Sequence, residues 1–223
     1  MDSSAFFRIL FSTGNALLPG TTALWWALHL GWAIVLGCGV RSLAGRFAWR
    51  HRSALGWLTL IWTLLPGALS PAYWLGLVFQ SPSLMSVFLC VGWLLQQARR
   101  APNALDLNAA AHARSLSVLQ GLGVLLGWVL LLDTLAWFPV SVYAWGFGAG
   151  AVAVAAVMAA LFWLQQGTRA SGLPFCVLAL FVLTRLPSGN LWDALLDPLL
   201  WLTLQFGWLF SALRRRWPAA TRV

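Results

Sequence analysis

Residues 116–137 read LSVLQGLGVLLGWVLLLDTLAW, and the single charge in that stretch is Asp133. A helix needs about 20 mainly apolar residues to cross the core of a bilayer, and this run supplies them. Outward from it, six more apolar runs follow from the positions of the breakers: 22–40, 54–69, 72–96, 143–164, 173–186 and 191–213. Pro66, Gly67 and Pro71 close the second run, Pro139 marks the turn into the fifth, and Pro174 and Pro187 bracket the sixth. Gln80-Ser81-Pro82-Ser83 interrupts the third.

Composition agrees. The 223 residues are 61% hydrophobic and 9% charged, whereas a soluble domain carries about 25% charged residues. The expectation is an all-α, polytopic transmembrane helix bundle of about seven spans. Residues 22–214 form its single domain, residues 1–21 an interfacial amphipathic segment with a helix over 4–18, and residues 215–223 a basic tail.

The charges set the orientation. All 14 basic residues are arginine and all five acids are aspartate. With the amino terminus outside, Arg41, Arg46, Arg50, Arg52, Arg99, Arg100, Arg114, Arg169, Arg214, Arg215, Arg216 and Arg222 fall inside, against Arg8 and Arg185 outside. Seven spans with a cytoplasmic carboxyl terminus satisfy the positive-inside rule. That rule accounts for the net charge of +9 without nucleic acid, which is not expected as a partner. The bilayer is the expected partner, in the bacterial inner membrane. Tryptophans near the span ends, such as Trp57, Trp74 and Trp137, fit the interfacial aromatic belts.

Ionisable groups inside spans are costly and mark candidate sites. Asp133, Arg185, Asp193 and Asp197 all fall near the outer ends of their helices. A four-residue spacing puts Asp193 and Asp197 on one face of a continuous helix. The expected arrangement is an ion-paired pin between Arg185 and these carboxylates, with a ligand or proton site as the competing use. Pro198 removes a backbone hydrogen bond and frees the carbonyl of Ala194 beside Asp197. Gln80 and the break around Pro82 form a candidate pocket wall. His29, mid-way along the first span between Trp25 and Trp32, is a candidate proton relay or a packing residue. Gly146, Gly150 and Ala155, continued by Ala159, make a small-residue face for close helix packing within the chain or in an oligomer.

Several chemistries have no residues to carry them. There is no HExxH, no GxSxG, no CxxC and no phosphate-cradling glycine loop. Retinal lacks a lysine, and haem lacks a second histidine in a span. No metal and no cofactor is expected. Cys38, Cys90 and Cys176 have no paired spacing and read as small hydrophobes. No internal repeat is legible in the residue types.

These features point to a non-enzymatic integral inner-membrane protein, a structural or accessory subunit with a protein partner in the envelope. A small carrier or lipid-handling transporter, with a polar site at the outer ends of helices 4, 6 and 7, is the alternative. A membrane enzyme acting on a lipid-linked substrate is the second.

Overall fold

The computed structural model describes residues 18–46, 49–99, 109–166 and 172–216. The helix expected over 4–18 lies, Leu18 apart, outside the described residues, as does the tail beyond 216. All regular structure among the described residues is helical, with no strand. Helix α1 spans Thr21–Leu43 and α2 spans Trp49–Thr63. Helices α3 and α4 cover Pro71–Phe79 and Leu84–Arg99. Helix α5 is Ala109–Thr134, α6 is Val142–Trp145 and α7 is Ala149–Gln166. Helix α8 is Leu173–Thr184, α9 is Leu191–Leu195 and α10 is Pro198–Arg216. Two stretches, all of α1 and the Leu116–Thr134 part of α5, are long and apolar enough to cross a membrane.

Three of the seven expected runs are cut in two. The break at 80–83 was legible in the sequence, but the fifth and seventh helices are not continuous as expected. Residues 146–148 separate α6 from α7, so Gly146 and Gly150 do not share one helix. At the seventh run Leu196 turns to φ −147°, ψ 130°, and α10 starts afresh at Pro198. Proline disfavours helical geometry in the residue before it and cannot donate to the turn behind it. The helix therefore stops short of Asp197.

The cuts reveal a repeat that residue types hide. Three times a long helix is followed by a turn, a short helix that starts on a polar cap, a break, and another long helix. The units are α2–α3–α4, α5–α6–α7 and α8–α9–α10. Each cap accepts a hydrogen bond from an orphan N–H of the first turn. Ser70 takes the N–H of Ala72 at 3.1 Å, Ser141 that of Ala144 at 3.1 Å, and Asn190 that of Trp192 at 2.9 Å.

Helix α1 packs along α2, α3 and α4, and α8 lies against α4, α7 and α9. The core gathers around Val177 and Phe181 of α8, with Ala151 and Ala159 of α7, Leu84 of α4 and Leu191 and Trp192 of α9. The small-residue face is spent inside the chain: Ala151 and Ala159 are buried, and Ala155 packs against the same core. The exterior is apolar as well. Leu164 and Leu183 are 80% and 82% exposed, and Trp57, Val78 and Phe210 also face outward.

Candidate functional site

The backbone groups freed by the breaks must be paired, because an unpaired buried N–H or C=O costs about as much as a lost hydrogen bond. How they are paired defines the polar interior. At the first break Gln80 adopts φ 60°, ψ −150°, a region that costs a residue with a side chain roughly 1–3 kcal/mol. Its carbonyl receives the indole N–H of Trp32 at 2.9 Å. The Gln80 side chain is exposed, so this residue contributes its backbone.

Asp197 closes the other side of that break and is 8% exposed. Its Oδ2 accepts from the backbone N–H of Ser83 at 2.9 Å, from the Ser83 hydroxyl at 2.8 Å, and from the Ser86 hydroxyl. Its Oδ1 accepts from the N–H of Leu200 at 2.8 Å. One carboxylate thus sits at the amino ends of two half-helices, α4 and α10, and caps both. Each helix start carries a partial positive charge of about half an electron. Two starts and two hydroxyls do the work that the sequence reading assigned to an arginine.

The expected ion-paired pin does not form among the described residues. Arg185 takes a left-handed conformation (φ 56°) that ends α8. Its guanidinium lies over the ring of Phe181, 5.3 Å from the centroid, and its Nε finds no partner. Asp193 is on α9, beyond the break from Asp197, and accepts from the Tyr143 hydroxyl at 2.8 Å and from the Ser188 hydroxyl. Asp133 caps α6, accepting from the N–H groups of Val142 at 2.9 Å and Tyr143 at 2.8 Å and from Ser141 Oγ at 2.9 Å. The four charged candidates therefore divide among separate environments. Short-range dipoles outcompete the ion pair because the fold places backbone N–H donors on Asp133 and Asp197 and two hydroxyls on Asp193.

Asp193 ties α9 to α6 through the Tyr143 hydroxyl, while Asp133 fixes the start of α6 to the end of α5. Asn190 Nδ2 donates to the carbonyl of Tyr143 at 2.9 Å, Trp192 Nε1 to that of Val142 at 2.8 Å, and Leu191 N to that of Gly146 at 3.0 Å. His29 stands apart from both clusters of aspartates. It is 4% exposed, stacked on Trp25 at 4.1 Å, with Nδ1 3.0 Å from the carbonyl of Trp25 and Nε2 without a partner.

Ser86 and Tyr143 were missed by the sequence reading, which took Ser83 only as part of the break and Trp32 only as a neighbour of His29. Ser83 and Ser86 carried a signal, since a serine followed by another three residues on is N-cap spacing just after a proline break. Trp32 and Tyr143 carried none, because their partners are distant in the chain.

Next to the Asp197 junction the helices leave two cavities. A small one of about 160 Å³ is bounded by Trp32, Val35, Ser86, Cys90 and Asp197. A cleft of about 820 Å³ opens between α5, α7 and α10, walled by residues such as Leu122, Leu126, Met158, Phe162 and Leu204. Its polar side chains are Gln120, Gln165 and Thr203, and Gln120 Nε2 already donates to the carbonyl of Leu204 at 2.8 Å. The two cavities share Leu89, Leu200 and Thr203 as walls. Among the described residues no cluster of three or more histidine, cysteine or aspartate side chains is placed to hold a metal. No protein-family model, no curated protein and no solved structure matches the chain.

Proposed function

We propose that this chain is a seven-span integral membrane protein, amino terminus outside, that holds a lipid in the cleft between α5, α7 and α10. The cleft carries the reading. At about 820 Å³ it falls within the roughly 300–1,000 Å³ of small-molecule sites, and an almost wholly apolar lining suits a hydrocarbon tail. The apolar exterior and the arginine asymmetry support the bilayer setting, in a bacterial inner membrane. In this reading each broken pair, α3 with α4, α6 with α7 and α9 with α10, crosses as one span. Asp133, Asp193 and Asp197 each accept several hydrogen bonds inside the fold, which supports a non-catalytic protein.

Mass spectrometry of lipid extracted from the purified protein is the test. Wild type is expected to carry a stoichiometric lipid, and Val154→Trp, which fills the cleft from a half-exposed position outside the packed core, to lose it several-fold while staying folded. Equal lipid in both proteins, or none in wild type, would refute the reading. Reporter fusions check the topology: a fusion at Ser188 is expected to read external and one after Arg216 cytoplasmic. A cytoplasmic Ser188 would remove the seven-span arrangement.

An accessory-subunit role is the second reading. Its support is the poor contact between α5 and α7, which leaves a groove where a partner's membrane helix can seat. A protein that co-purifies in place of lipid, and is lost in Val154→Trp, would favour it.

A further inference from the structure

The sequence reading treated the three cysteines as unrelated, but two of them meet. Helix α1 lies so close to the first break that a Cβ on Gly31 would sit 2.7 Å from Pro82 Cγ and 3.7 Å from Val87 Cγ2. From that contact α1 and α4 run side by side in the same direction, with Val35 and Ser86 facing the small cavity. Cys38 lies about one helical turn beyond Val35 and Cys90 about one turn beyond Ser86. In that register the two half-buried thiols interact directly. Cys176, on α8, is exposed and takes no part.

A thiol pair of this kind has two common fates. A soft monovalent metal ion would leave a bis-thiolate anion in an apolar setting, beside a cavity that already holds the Asp197 carboxylate. Burying that extra charge is costly. A disulfide is neutral and leaves no charge behind.

We propose that Cys38 and Cys90 form an intramembrane dithiol that closes to a disulfide at the expense of a lipid-soluble quinone, clamping α1 to α4. Both S–H bonds break and one S–S bond forms. The two electrons and two protons pass to the quinone oxygens, giving the hydroquinone. A membrane-soluble oxidant suits the site because both sulfurs lie on apolar helices. The inference rests on the membrane setting proposed above and is independent of the lipid cleft, whose occupancy is read separately from extracted lipid.

The test uses full-length protein in lipid nanodiscs and a fully substituted benzoquinone, which oxidises thiols without adding to them. Alkylation after denaturation counts free thiols, and peptide mapping locates the bond. The expected result is a fall from the three free cysteines to Cys176 alone, with Cys38 linked to Cys90. The melting temperature should rise, and dithiothreitol should reverse both changes. Three free thiols after quinone treatment of folded protein, or a bond through Cys176 or between chains, would overturn the proposal. Cys38→Ser and Cys90→Ser are expected to keep their remaining thiols free. The mapping on wild type stands even if either variant fails to fold.

Discussion

Asp197→Ala is expected to destabilise the protein by about 3–5 kcal/mol, a large share of the roughly 5–15 kcal/mol that holds a typical domain folded. The substitution strands four donors at once: the N–H groups of Ser83 and Leu200 and the hydroxyls of Ser83 and Ser86. The hydroxyls can rotate toward helix carbonyls, so the two backbone N–H groups carry most of the cost. Neither can turn away without unwinding the start of α4 or α10. Asp197→Asn keeps an oxygen for one helix start but presents an NH₂ to the other and removes the charge that both starts favour. It should lose about 1–2 kcal/mol. Asp133→Ala, on the partly exposed cap of α6, should cost about 1 kcal/mol because water can replace the carboxylate. Thermal unfolding in one detergent ranks the three. An Asp197→Ala protein that melts with wild type would mean that the broken helices do not depend on this carboxylate.

Gly127→Ala should cost about 3 kcal/mol, the upper range for overpacking a filled contact. A Cβ there would lie 2.2 Å from both Cδ1 and Nε1 of Trp201. That indole cannot easily retreat. Its N–H donates to the carbonyl of Val124 at 3.2 Å, and its ring meets Trp128 edge-on at 5.4 Å. The α5–α10 contact therefore has to open. Gly146→Ala strikes the Asn190 cap, whose Oδ1 would be 2.1 Å from the new carbon, and a loss of similar size is expected. Gly121, on the same helix as Gly127, has nothing within 4 Å. Gly121→Ala should stabilise by about 0.5–1 kcal/mol, because alanine is the better helix former. Opposite shifts at two glycines six residues apart cannot come from helix propensity. If both variants melt together, the approach of α5 to α10 is looser than described.

The sequence was most legible where local chemistry decides alone. The break at 80–83 is written in a proline flanked by serines, and each apolar run holds helix, the structure that satisfies its backbone hydrogen bonds within a single segment. It misled at Asp193 and Asp197. A four-residue spacing implies one face only while the helix is unbroken, and Pro198 ends that condition. The same proline had been read only as freeing a carbonyl. Arg185 misled for a related reason: charge suggests a partner, but in this fold helix starts and hydroxyls reach the carboxylates first.

By itself, then, the sequence determined the helical class, the position of the apolar runs and the existence of a broken helix. These follow from covalent geometry and from the number of apolar residues in a row, and both are local. Only the tertiary structure decided which break faces which: Asp197 against Ser83, 114 residues away, Trp32 against Gln80, Asn190 against Tyr143. It also decided that Cys38 would meet Cys90 and that α5 and α7 would part to leave a cleft. Such pairings depend on how helices of similar apolar character sort among one another. Interchangeable leucines say little about that order, and the few polar groups with orphaned hydrogen bonds fix it.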